Sequence, residues 1–348
     1  MKTTRTRAWF FFPTLSLIAL IAWYFHFTQG AEPNEPERPL RSFTPHDDLF
    51  AVHFTRAGQG WIVGRFGLIL HSADGGKNWQ PQQSGTDKAL TAVSFADGRH
   101  GFAVGAGGTV LTTVDGGRTW QRQDSGSKEH LLAVHALNVE RAFVVGAFGT
   151  ILSTQDGGKR WRKHEINWEK LLPRLVRDSG YMEPNLNTLH FVGPNTGWIG
   201  GEFGSLLYSG DGGETWNARR YDSALPQILS LAFANEQTGW AVGQKGTFLM
   251  TRDAGKQWRE ISSRLGGDLY AISFDDRSGI AVGDGFIMRA DKDASHWLSL
   301  EYGRNRPRLN AVAVHGGFAI TVGRAGIIHR INLRPDGGKG SESREKLG

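Results

Sequence analysis

Short runs in which apolar residues take roughly every second position recur along the chain. They read LFAVHF, LTAVSF, LLAVHA, LNTLHF, ILSLAF, LYAISF and LNAVAV, and begin at Leu49, Leu90, Leu131, Leu186, Ile228, Leu269 and Leu309. Period-two alternation over six residues is a strand signal. The starts lie 40 to 42 residues apart except between Leu131 and Leu186, where the interval is 55. Each run is followed by a glycine turn: VGRFG, VGAGG, VGAFG, GGEFG, VGQKG, VGDG and, at 322–326, VGRAG. After the first five turns comes a box, SADGGKNW, TVDGGRTW, TQDGGKRW, SGDGGETW or TRDAGKQW, and a degraded sixth reads ADKDASHW. One glycine turn means little, but seven in register with a period near 40 are the mark of propeller blades. The first blade is predicted to place strands at Leu49–Phe54, Trp61–Val63, Leu68–Ser72 and Trp79–Gln83. The fold expected over residues 38–333 is therefore all-β, a seven-bladed propeller of four-stranded blades.

The boxes then read as structural. Asp74, Asp115, Asp156, Asp211 and Asp253 are placed to accept backbone N–H groups of their own turns, and Trp79, Trp120, Trp161, Trp216 and Trp258 to fill the space between neighbouring sheets. The glycines of VGxxG and DGG are expected to supply positive-φ positions of the hairpins. The seventh repeat stops after its third strand, IIHRINL. Counting back from Leu49 puts RPLRSF, residues 38–43, where a fourth strand belongs, so the N-terminal segment is expected to close the ring.

Composition changes the picture mainly at the ends. Residues 8–27, AWFFFPTLSLIALIAWYFHF, carry no formal charge and follow Lys2, Arg5 and Arg7. Twenty helical residues match the hydrocarbon thickness of a bilayer. Residues 1–31 thus read as a signal peptide or membrane anchor, with an uncleaved anchor favoured by the poor cleavage site and by Trp9, Trp23 and Tyr24 at the interfaces. Either places the remainder outside the cytoplasm, on the periplasmic or lumenal side. Residues 32–37 form a linker, and the tail 334–348 is predicted to be disordered. The chain has no cysteine, which excludes disulfides, thiolate metal sites and a lipidated Cys. Its net charge of +6 calls for no nucleic-acid partner. No cofactor is implied, and a monomer is expected.

Propeller topology separates the two rims. The DGG boxes share one rim; the VGxxG tips share the other with the connections between blades. The second rim gathers the irregular features. An insertion at 162–185 contains NWEKLLPRLVRD, in which Trp168, Leu171, Leu172, Leu175 and Val176 fall at helical spacing. It reads either as a plug over the channel or as a partner-binding element. Arg304, Arg306 and Arg308 from GRNRPRL, Arg324 from the seventh tip and Arg65 from the first converge once blade 7 meets blade 1. Guanidinium forks suit carboxylates or phosphates. The tips also carry Phe66, Phe148 and Phe203. The competing reading is a solvated basic edge paired with Glu301, Asp284 or Asp47. His53, His135 and His190 share one strand register, but only blades 3 and 4 are neighbours, so they are expected to be interior residues and not a metal site.

The unit GWxVGxxGxIxxSxDGGxTW, over about residues 40–331, resembles the repeat of the photosystem II stability/assembly factor family and, more broadly, the Asp-box (BNR) repeat of sialidases and sortilin-type receptors. The closer resemblance implies a seven-bladed, non-enzymatic propeller that binds a membrane subunit and assists assembly of a membrane complex. The chain departs from the photosynthetic pattern in lacking a lipidation Cys and a twin-arginine signal, which leaves the partner, a transporter or photosystem subunit, open. The alternative is an Asp-box glycoside hydrolase of sialidase type. Its strongest support is EYGR, Glu301 to Arg304, which sets Glu, Tyr and Arg side by side; glycoside hydrolysis needs a spaced constellation instead.

Overall fold

The structure is a computed structural model that divides into two compact units, residues 1–38 and 39–348. It describes residues 44, 47–172, 178, 180, 183–219, 227–261, 266–275, 278–290, 296–300, 302 and 306–333, all in the second unit. The anchor or signal at 1–31, the linker, the closing segment RPLRSF and the tail lie outside the described residues. Among the described residues no helix is long and apolar enough to cross a membrane.

Seven antiparallel sheets follow one another along the chain, six with four strands and the last with three described strands. The first comprises β1 (Leu49–Phe54), β2 (Gly60–Gly64), β3 (Ile69–Ser72) and β4 (Gln80–Gln82), paired in that order. The innermost strand of each sheet packs against the innermost strand of the next, and that of the seventh against β1. This is the expected seven-bladed propeller.

Its hydrophobic core is divided among seven clusters, each lying between two consecutive blades. Trp61, Val63 and Ile69 of blade 1 pack with Leu90, Val93 and Phe95 of blade 2; Leu49, Ile62 and Leu70 pack with Phe318, Ile320 and Val322 of blade 7. A sheet sandwiched on both faces cannot show a clean in–out pattern, and the second strands are buried along their whole length, GWIVG and GFAVG alike. Alternation in the first strands is likewise blurred.

The box explains how the seams close. Asp74 Oδ1 accepts the backbone N–H groups of Lys77 and Asn78 at 3.0 Å and the Ser72 hydroxyl at 2.8 Å. The amide and side chain of Asn78 are the main reasons its pKa falls to about 2. With its turn fixed, the box tryptophan is set edge-on against an aromatic ring of the preceding blade: Trp161 on Phe102, Trp216 on Phe143, Trp258 on Trp198 and Trp297 on Trp240, at interplanar angles of 74–83°. Such pairs contribute about 0.5–1.5 kcal/mol beyond area burial. The carbonyl of the first box glycine also accepts from the blade before it, Gly75 from Arg330 and Gly212 from Arg141.

The two box glycines differ in purpose. The first has more room, a Cβ on Gly75 lying 3.5 Å from the Phe318 ring, and in the fifth box Ala254 occupies it at φ 57°. The second faces the neighbouring blade: a Cβ on Gly255 would lie 2.1 Å from the Trp198 ring, and one on Gly213 2.2 Å from Phe143. The first glycine of VGxxG departs from expectation. Gly64 has φ −162°, ordinary extended backbone. It is required because a Cβ there would stand 2.4 Å from the Asp48 carbonyl, where the incoming connection crosses the strand end.

Every first strand carries a register shift after its opening residue, as between Leu49 and Ala51. Bulges re-aim side chains, and here they turn Thr91, Asn187 and Asn310 onto the carbonyls of Leu131, Ile228 and Leu49 in the next blade. Further along, Ser94 and Ser273 accept the N–H groups of Ala136 and Val314 across the seam. His53, His135 and His190 take the serine position in blades 1, 3 and 4. The rings of His135 and His190, on neighbouring blades, are 5.6 Å apart. Burial lowers His53 and His190 to about 4, and burial together with the other two imidazoles lowers His135 to about 3.

Two outcomes follow. Gly255→Ala should destabilise by about 3 kcal/mol and Gly75→Ala by about 1 kcal/mol in chemical denaturation, because overpacking adds to left-handed strain only at the former. The histidines bind protons more readily in the unfolded chain, where their pKa is about 6.5. Stability should therefore be complete above pH 6.5 and fall as the pH drops toward 4 and 3. His53→Ser/His135→Ser/His190→Ser should flatten that slope in denaturation midpoints measured across the range.

Candidate interaction rim

Each VGxxG sequence forms a one-turn tip between the second and third strands. The first tip residue donates its N–H to the carbonyl just ahead of its own blade's first strand, as Arg65 does to Asp48 and Arg324 to Arg308, both at 3.0 Å. The middle residue is left-handed, at φ 55° in Phe66, 50° in Phe148, 56° in Phe203, 55° in Lys245 and 56° in Ala325. In four tips its N–H is taken by a side chain from the connection into the next blade: Gly107 by His130 Nδ1, Phe148 by Asn185 Oδ1, Lys245 by Asp268 Oδ1 and Ala325 by Asp48 Oδ1. These connector residues escaped sequence reading. The signal was a polar side chain immediately before the first strand, and its meaning depends on the ring.

The last tip joins the seventh blade to the first. Gly326 donates to the Asp47 carbonyl at 2.7 Å, as Gly108 does to Glu129 and Gly149 to Pro184 at the other seams. Asp47 therefore holds the position of a connection arriving from a preceding blade.

The arginines cluster around this seam. Arg65 lies over the Phe66 ring at 4.7 Å. Arg308, half-buried, stacks over Tyr270 at 4.7 Å and donates to Asn310 Oδ1 at 3.1 Å. Arg306 and Arg324 are exposed, the former 5.9 Å from the Tyr302 ring. Asp48 touches both neighbouring tips, through its carbonyl to Arg65 and its carboxylate to Ala325. Arg304 and Glu301 lie outside the described residues. Asp284, offered above as a partner for these arginines, accepts the Tyr270 hydroxyl at 3.1 Å.

The aromatic residues separate into two kinds. Phe66 and Phe148 are 42% and 56% exposed. Phe203 is half-buried against the cluster between blades 3 and 4. Trp168, grouped by sequence with the exposed candidates, is 8% exposed and belongs to that cluster with Leu172. It opens the single turn α1 (Trp168–Leu171), capped by Asn167, whose side-chain oxygen accepts Lys170 N–H at 3.3 Å. Gly149 makes room for it, since a Cβ there would stand 2.4 Å from the indole nitrogen. Trp168 is a wedge in the scaffold and offers no free face. Leu175, Val176 and Pro173 lie outside the described residues.

Beneath the insertion, a cavity of about 390 Å³ is lined by Arg162, His164, Lys170, Glu214 and Trp216. His164 Nε2 is 2.8 Å from Ser153 Oγ, the spacing of a nucleophile and its base. Arg162 Nη2 lies 3.4 Å from His164 Nδ1 and can only donate. The neutral imidazole then carries its hydrogen on Nε2 and cannot take the serine proton. At the EYGR stretch, Tyr302 donates to the Pro307 carbonyl at 3.0 Å and burial pushes its hydroxyl up to about 12, unsuited to a nucleophile.

These features define a repeat propeller whose box rim is taken up by seam packing and whose tip rim presents basic and aromatic side chains. The chain belongs to the photosynthesis system II assembly factor YCF48 family, whose model matches residues 79–176, 180–300 and 224–331. Among solved structures it is similar to YCF48 from Cyanidioschyzon merolae, with a TM-score of 0.70 and 20% identity over 86% of this chain and 98% of that one. It is also similar to a YCF48 bound to D1 peptide, with a TM-score of 0.65 and 18% identity over 84% and 93% of the two chains. The GH74 xyloglucanase of Xanthomonas campestris shares the fold at 0.65 and 16% identity over 85% of this chain, which spans 53% of that enzyme. No curated protein matches the chain.

If the tip strain is carried for display alone, Phe148→Gly, which copies Gly107 of blade 2, should leave the thermal midpoint unchanged or higher. Trp168→Ala should lower stability by about 3 kcal/mol in chemical denaturation.

Proposed function

We propose that this protein is a non-enzymatic assembly or stability factor that stands outside the cytoplasm, binds an integral membrane protein through its tip rim and supports the formation of that partner's complex. The observation that carries this reading is the gathering of Arg65, Arg306, Arg308 and Arg324 at one seam, in a family whose structurally similar member is bound to D1 peptide. In this reading residues 8–27 tether the propeller to the membrane, residues 38–43 supply the fourth strand of blade 7, and the protein acts as a monomer. A transporter or a photosystem subunit would each suit such a rim.

The glycosidase reading has less support. Asp74 and Asp211 are held at about 2 by hydrogen bonds within their own turns, Asp74 chiefly by Asn78 and Asp211 by Thr215. Carboxyls so placed remain ionised and cannot act as acids near neutral pH.

Arg65→Glu/Arg306→Glu/Arg324→Glu should reduce partner capture by crosslinking in native membranes at least tenfold at unchanged thermal midpoint. Undiminished capture would exclude the basic seam as the binding face.

A further inference from the structure

The tip turn has the same backbone in six of the seven blades, that of blade 6 being one residue shorter, yet its middle residue differs in a way that folding does not explain. Blade 2 places glycine there, Gly107 at φ 61°, the residue a left-handed position favours. Blades 1 and 3 place phenylalanine at φ 55° and 50° and leave about half of each ring exposed. The strain of an L-residue is thus incurred without the burial that would offset it. Phe203 in blade 4 recovers part of its burial against blades 3 and 4. Strain retained at an exposed aromatic is a mark of a binding position.

The charged residues of the tips are held in different ways. The acidic tip residues are engaged within the scaffold: Glu202 accepts from the backbone and side chain of Asn185 and from Gln227, and Asp284 from Tyr270. Lys245, Arg306 and Arg324 are exposed. Between Phe66 and Phe148 stands the tip of blade 2, Ala106–Gly107, which bears nothing larger than a methyl group. The rim therefore runs from a basic seam at blades 7 and 1, over one aromatic ring, across a low tip, to a second ring.

We propose that Phe66 and Phe148 are apolar subsites for one extended segment of a protein partner in which acidic residues alternate with large aliphatic or aromatic ones. The segment's carboxylates face the arginine seam and its apolar side chains cover the two rings. The inference rests on the tip rim being the partner face and adds what that face reads.

The test uses the full chain in detergent and fluorescence anisotropy with short labelled peptides. One probe mixes Asp with Leu and Phe, a second replaces Leu and Phe by Ser, and a third replaces Asp by Lys. The chain should bind the acidic, apolar probe at least tenfold tighter than the other two. Phe66→Gly/Phe148→Gly should bring that probe to the level of the acidic, polar one without lowering the thermal midpoint, since half-exposed rings still have enough surface to bury for about tenfold each. Phe66→Trp/Phe148→Trp should retain the preference. Equal binding of both acidic probes, or full retention of the preference in the glycine variant, would overturn the assignment. Equal binding that Arg65→Glu/Arg324→Glu abolishes would do so while leaving the basic partner face standing.

Discussion

The seam between consecutive blades is the contact on which everything else depends. A four-stranded sheet of this size cannot bury two apolar faces alone, and here each face is covered only by a neighbour, with the seventh sheet covering the first. The box is the device that locks the seam. Its aspartate rigidifies the turn, its second glycine lets that turn approach the preceding sheet, and its tryptophan fills the remaining gap edge-on to a ring. The contact of the seventh sheet with the first covers the faces that these two blades would otherwise leave open.

A fold held this way has two unequal rims. On the box rim the polar groups are engaged: carboxylates by their own turns, glycine carbonyls by the preceding blade. On the tip rim the backbone is pinned just as firmly, by Asp48, His130, Asn185 and Asp268, but the side chains of Phe66, Phe148, Lys245 and Arg324 are left exposed. Rigid backbone with variable side chains is a suitable base for recognition, because little order has to be created on binding.

Much of this was legible in the sequence because the period repeats: the strand limits of blade 1 differ from expectation by about one residue at each end. The features that were not legible depend on contacts between segments. Gly64 looks like a turn glycine, and only the crossing Asp48 carbonyl reveals that its missing side chain, not its φ, is what matters. Trp168 has the spacing of an amphipathic helix, but whether its ring is offered or buried depends on the space left by Gly149, far away in sequence. Phe66, Phe148 and Phe203 are indistinguishable as tip residues; the packing between blades 3 and 4 makes only the last of them partly structural. The convergence of arginines near blades 7 and 1 followed from ring closure alone, whereas the stacking of Arg308 on Tyr270 did not.

The division of labour between the rims is tested most directly by placing a photo-crosslinking amino acid at position 148 on the tip rim or at Lys77 on the box rim and irradiating native membranes. Crosslinks to a membrane protein are expected from position 148 and not from position 77. Equal or stronger crosslinking from position 77 would contradict the claim that seam packing leaves only the tip rim for recognition.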